Sequence, residues 1–210
     1  MPNFKIFIII VAGIILINII FILVFKTISN KRKGQIGEHK VRNILIKFAV
    51  RSDYLIDNLI INRNDSSSQI DHILITDKGI FVVETKNFSG KIFGSLNNKN
   101  WTQVLAYGNS KNQFLNPIFQ NKTHLLALKK ILGDDVNYIN LVVFVQNNAP
   151  EIVGNDVINY DDLASFMDSF NSDNIISSTR MDEIANKLNK LKKYQISNKE
   201  HINNLKNKKE

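Results

Sequence analysis

Gln69-Ile70-Asp71-His72-Ile73-Leu74-Ile75, Thr76-Asp77-Lys78-Gly79 and Ile80-Phe81-Val82-Val83-Glu84-Thr85-Lys86 are two short β-branched runs joined by a glycine-containing turn, the pattern of an antiparallel hairpin. Side chains alternate along a strand, so Ile80, Val82, Glu84 and Lys86 share one side. A carboxylate and an ammonium therefore project together from the end of a strand whose other residues form core. The turn brings Asp71, near the start of the first strand, level with Glu84. Two acids and a lysine on adjacent strand ends can hold a hard divalent cation and activate a water beside it. Any one of the three by itself reads better as a solvated strand terminus. All three together, at positions that apolar neighbours would bury, ask for a joint role, because charges are rarely buried without partners.

Upstream, residues 34–48 carry Val41, Ile44, Leu45 and Phe48 at the i, i+3, i+4, i+7 spacing of an amphipathic helix. One turn back lie Gly37 and Glu38, so Glu38 points inward with the stripe. An acid near a helix N-terminus can be a dipole-stabilised surface residue. Facing a strand pair with Asp71 and Glu84, Glu38 reads better as a third acidic ligand. Elsewhere the sequence predicts a strand over 54–62, a polar turn at 63–68, a short strand over 91–94 and a polar loop at 97–100. A helix opens at Pro117 and stops at Gly133. Residues 139–145 are almost wholly apolar, as in a strand buried on both faces. A short edge strand at 157–159, a helix over 161–167, an amphipathic helix over 179–193 and a disordered Lys/Asn-rich tail over 194–210 complete the reading. Helix, three strands, helix, strand is the order of a mixed α/β sandwich.

Gly37-Glu38, Ile70-Asp71-His72 and Glu84-Thr85-Lys86, in that order, resemble the nuclease-related domain (NERD) family, a branch of the PD-(D/E)xK restriction-endonuclease-like superfamily. Asn87-Phe88-Ser89-Gly90, Asn100-Trp101 and Asn116-Pro117-Ile118-Phe119-Gln120 are similar to further motifs of that family, and the resemblance covers about residues 34–170. It implies a restriction-endonuclease-like αβββαβ core with a mixed sheet. It also implies hydrolysis of phosphodiester bonds dependent on Mg²⁺ (or Mn²⁺). Asp71, Glu84, Glu38 and the Thr85 carbonyl would hold the metal, Lys86 would orient and help deprotonate the water, and Gln120 would contact the substrate phosphate or that water. The implied partner is nucleic acid, DNA ahead of RNA. A non-catalytic module binding nucleic acid or a protein at the membrane is the other function these residues leave open.

The chain opens with an anchor. Ile6 to Phe25 is a 20-residue run whose only strongly polar member is Asn18, long enough to span a bilayer. A signal-peptide core would be shorter and followed by a small-residue cleavage site. Lys5 precedes the run and Lys26, Lys31, Arg32 and Lys33 follow it, so the positive-inside rule predicts one N-out, C-in span with the C-terminal domain in the cytoplasm. The expected divisions are an anchor and basic juxtamembrane segment at 1–33, a nuclease-like domain at 34–170, and a C-terminal helix and tail at 171–210. The formal charge of +8 sits in the flanks: residues 1–33 carry +5, residues 187–210 carry +6, and residues 34–186 hold 14 basic and 17 acidic residues, net −3. Such flanks suit anionic lipid headgroups, so the high pI is not itself a sign of nucleic-acid binding.

No cysteine is present, which excludes disulfides and thiolate metal sites. His72 alternates to the face opposite Glu84 and reads as a structural hydrogen-bonding residue rather than a general base. His39 is off the apolar stripe, and His124 and His201 have no acidic neighbour nearby, so no histidine metal site is expected. Gln69 shares a face with Asp71 and is a weaker candidate. Trp101, the only tryptophan, reads as core rather than as a base-stacking platform. Phosphate-loop, nucleophile-elbow and kinase signatures are absent.

Overall fold

The structure is a computed structural model and describes residues 2–63, 66–150, 157–173 and 175–207. In chain order its main elements are α1 (Pro2–Leu45), β1 (Leu55–Arg63), β2 (Ser66–Thr76), β3 (Gly79–Lys86), β4 (Lys91–Phe93), β5 (Asn100–Leu105), β6 (Ser110–Leu115), α2 (Pro117–Leu132), β7 (Tyr138–Phe144), β8 (Val157–Asn159), α3 (Leu163–Ser169) and α4 (Ser178–Asn207). The chain divides into two units, Met1–Ile36 and Gly37–Glu210.

The first unit is helical and holds a stretch of mean hydropathy 2.6 with no buried side chain, long and apolar enough to cross a membrane. Two of its polar side chains are satisfied by their own helix. Asn18 Nδ2 donates to the Ile14 carbonyl at 2.8 Å, and Thr27 Oγ1 to Leu23 at 2.9 Å. A bilayer interior demands that arrangement of any polar group facing lipid.

The second unit is built on a five-stranded mixed sheet, ordered β1-β2-β3-β7-β8. β1, β2 and β3 pair antiparallel, while β3–β7 and β7–β8 pair parallel. One face carries Ile73, Ile80 and Val82 against Leu128 and Leu132 of α2 and Met181, Ile184 and Leu188 of α4. The other carries Phe81, Val83, Leu141 and Val143 against Val41 and Leu45 of α1 and Leu163 and Met167 of α3. The expected mixed α/β sandwich is thus the architecture of the chain. α4 supplies core side chains, so the segment after residue 170 folds with the sheet instead of forming a separate appendage.

Four details differ from the sequence reading. α1 ends at Leu45, and Phe48 reaches the core from the turn that follows, so the i+7 spacing marks a packing position and not another helical turn. β1 and β2 extend into the expected polar turn, of which residues 64 and 65 lie outside the described residues. α4 continues through Asn207 instead of stopping near 193, because residues 178–207 contain neither Gly nor Pro to end it; residues 208–210 of the expected tail lie outside the described residues. Lastly, β4, β5 and β6 make a separate antiparallel sheet inserted between β3 and α2. Its inward side chains, Ile92 and Trp101, pack on Val142 and Phe144, which pair with Glu84 and Lys86 and so lie on their face of the main sheet.

Candidate active site

Where β2 and β3 stop pairing, the alternation of side chains breaks. His72 pairs with Val83, but Asp71 and Glu84 do not pair, and the Thr85 amide instead donates to Asp71 Oδ2 at 2.9 Å. A carboxylate has taken over a ladder donor. On the other edge of β2, Asn58 adopts a left-handed φ of 54° opposite Asp71, between the pairs Asp57–His72 and Leu59–Ile70. Ile70 and Ile73 consequently enter the same core cluster although strict alternation would separate them. Asp71 sits at that irregularity, and β-bulge-like breaks of this kind re-aim side chains at strand ends.

Glu84 and Lys86 project toward α2, as the period of β3 requires. Lys86 Nζ donates to Glu84 Oε1 at 2.7 Å and to Gln120 Oε1 at 3.0 Å, and Gln120 Nε2 donates to Glu84 Oε1 at 2.8 Å. The three side chains close a ring. Glu84 is 3% exposed, and its second oxygen, Oε2, faces His124 Nε2 at 3.5 Å. That separation is too long to satisfy either buried atom by hydrogen bonding. His124 therefore departs from the sequence expectation: it has an acidic neighbour, Glu84, 40 positions away in sequence. The available signal is the four-residue spacing of Gln120 and His124, which stacks them on one helix face.

α2 is placed by the Asn-Pro pair that opens it. Asn116 caps the helix by accepting from the Ile118 amide, while its Nδ2 donates to the carbonyls of Ser95, Leu96 and Asn98 in the β4–β5 loop. Gly37 at the other side of the site packs where Asn87 passes; a Cβ there would come within 2.8 Å of Asn87 Cβ. Only a glycine allows that approach.

Burial, then the negative charges of Glu84 and Glu38, push Asp71 up to about 7 against the opposing Thr85 amide and His72. Burial also pushes Glu84 up, but His124 and Lys86 together outweigh it and hold Glu84 below the usual carboxylate range. Glu38 is half-buried and close enough for its charge to act on Asp71. His72 lies on the opposite face, where its Nδ1 meets Asp57 at 2.7 Å; Asp57 also accepts from Arg42 of α1 at 2.8 Å. Gln69 is exposed and donates to Asn58. Trp101 is fully buried, stacked on Phe144, with its Nε1 donating to Ser95.

The model of the nuclease-related domain family matches residues 33–145, more than half of the 210-residue chain. The chain belongs to the nuclease-related domain family. The αβββαβ order within the second unit is that expected of its PD-(D/E)xK superfamily. An uncharacterized protein of Bacillus anthracis is 36% identical over 115 residues, 54% of this chain and 53% of its own length. The chain thus spans about half the length of that curated relative. No solved structure matches it.

The donor set of this nuclease-related domain fits a hard divalent cation. Asp71, Glu84 and Glu38 offer carboxylate oxygens; burial raises Asp71 most, and a divalent positive charge would relieve the further rise that the charges of Glu84 and Glu38 add. Among the described residues no three His, Asp or Glu side chains form a pre-assembled cluster.

Proposed function

We propose that the chain is a membrane-anchored nuclease that hydrolyses phosphodiester bonds of nucleic acid, DNA in preference to RNA, on the cytoplasmic side of the membrane. The observation that carries this reading is the ring of Glu84, Lys86 and Gln120 beside Asp71, in a member of a nuclease-related family. Asp71, Glu84, Glu38 and the Thr85 carbonyl would hold Mg²⁺ or Mn²⁺. Such an ion would supply Lewis-acid stabilisation of the charge that develops on the phosphate. Lys86 presents an ammonium at the same spot, where it orients the attacking water and neutralises a phosphate oxygen. Gln120 bridges Lys86 and Glu84, accepting from Lys86 and donating to Glu84. The first unit tethers the domain, and Lys26, Lys31, Arg32 and Lys33 after the apolar run argue for the cytoplasmic side.

A second reading is favoured by one feature. The ring is closed on itself, with Glu84 Oε1 already shared by two donors, as suits a non-catalytic module that binds nucleic acid or a protein at the membrane. Incubating the purified full chain in detergent with single- and double-stranded DNA and RNA, with Mg²⁺, Mn²⁺ or EDTA, separates the two. Nuclease action predicts cleavage that EDTA stops and that Glu84→Ala or Lys86→Ala lowers by roughly 10²–10⁴-fold. No cleavage of any substrate, with no divalent binding by calorimetry, leaves the binding module.

A further inference from the structure

The net charge of −3 over residues 34–186 conceals a sharp segregation. From Thr85 to Gly133 there is no Asp or Glu at all, and seven lysines, so the remainder of that span holds seven basic and all 17 acidic residues. The acid-free stretch comprises the end of β3, the whole inserted sheet and α2. The cross-strand pairs Lys91–Val104–Lys111 and Phe93–Thr102–Gln113 put these six residues on one face, because directly opposed residues share a side. Ile92 and Trp101 hold the other face against the main sheet. Phe93 is consequently turned to solvent, 55% exposed, at the edge of its strand-to-strand row. A cleft of about 450 Å³ opens beside it, reaching Asn148 and Pro150. Lys91 and Lys111 stand two strands apart, roughly 10 Å, and Lys91 is one row, about 7 Å, from Phe93. An exposed ring and two lysines on one face, with amide and hydroxyl groups alongside and no carboxylate among the described residues of that face, complement a polyanion whose bases are free to stack.

From this juxtaposition we infer that the outer face of the β4–β5–β6 sheet binds single-stranded nucleic acid, with Phe93 stacking on a base and Lys91 and Lys111 contacting phosphates. The inference rests on the nucleic-acid reading of the site and extends it to a substrate class. A duplex hides its base faces and would leave Phe93 idle, whereas an unpaired strand uses both ring and ammonium groups. Covalent continuity ties the surface to the site: β4 begins five positions after Lys86, and β6 runs into Asn116 and the helix that bears Gln120. Lys86 Nζ lies 5.9 Å over the ring of Phe88, which packs edge-on against Phe114 of β6.

The test uses the full chain in nanodiscs of zwitterionic lipid with excess EDTA, so that binding is read without chemistry. Fluorescence anisotropy of labelled oligo(dT) should show Phe93→Ala weakening affinity by at least about fivefold without changing its salt dependence. Lys91→Gln with Lys111→Gln should lower the log–log salt slope by roughly 1.4, the share of two phosphate contacts on a single strand. Phe93→Trp should retain affinity, and its emission should be quenched by oligo(dT) above the background of buried Trp101. That variant keeps the test decisive even if Phe93→Ala folds poorly. Unchanged affinity in Phe93→Ala, no quenching in Phe93→Trp, or duplex bound equally tightly and equally weakened would overturn the inference. Cleavage that persists while binding ignores Phe93 sinks the surface alone; Phe93-dependent binding with no cleavage under any metal sinks the nuclease reading alone.

Discussion

Asp71 is held in tension by its neighbours, and the sign of its pH response follows. Its folded pKa of about 7 lies above the unfolded value near 4. Between those values the native state keeps a proton that the unfolded chain has released, so this group's contribution is full below about pH 4 and is lost as pH rises through about 7. The difference amounts to ~4 kcal/mol. Thermal unfolding in EDTA should therefore show apo stability falling across that window, and Asp71→Asn should flatten the fall; parallel profiles for the two proteins would refute it. Asp57 works with opposite sign. Burial raises it, but His72 and Arg42 outweigh burial and hold it low, so its contribution is lost only as pH drops below about 4. Deprotonation of Asp71 also precedes its use as a ligand, so divalent affinity should rise toward pH 7 with a proton released per ion, measurable by calorimetry in buffers of different ionisation enthalpy. Lys86 has a separate structural tie to Glu84. Lys86→Ala leaves a carboxylate 3% exposed without its cation and should cost about 3–5 kcal/mol by denaturant titration.

Among the elements, α2 depends most on a single residue. Asn116 supplies the cap and the three carbonyl contacts that fasten the helix to the inserted sheet, and it shares the Ser95 carbonyl with Trp101 Nε1. Asn116→Ala should lose roughly 1–3 kcal/mol in urea unfolding and shift Trp101 emission to the red as Ser95 moves. Asn116→Asp retains the capping acceptor but sets a buried carboxylate oxygen against the three carbonyls, so it should lose more than Asn116→Ala. A loss smaller than that of Asn116→Ala would show that the carbonyl contacts contribute nothing. Of the inserted sheet only β4 is legible in the sequence, for a physical reason. β5 and β6 show no strict alternation, place only Trp101 and Phe114 in the core cluster, and lack the β-branched density of β2 or β3.

At the scale of the whole molecule, the proposed topology rests on the apolar run together with the basic residues behind it. Reporter fusions placed after residue 40 should be active only in their cytoplasmic form, and a translocated reporter would remove the access to nucleic acid that the proposed function requires. By itself the sequence determined what depends on near neighbours. The period of 2 in β2 and β3, the stripe of Val41 and Leu45, the apolar run, and the Asn-Pro start and Gly stop of α2 are local patterns, and local backbone geometry enforces them. Only the tertiary structure decided the contacts among residues far apart in sequence. How α2 docks on the sheet sets Gln120 and His124 on opposite oxygens of Glu84, and no spacing along the chain encodes that docking angle. The break at Asn58 and Asp71 likewise arises from two strands parting, a property of the pair that neither strand's own alternation contains.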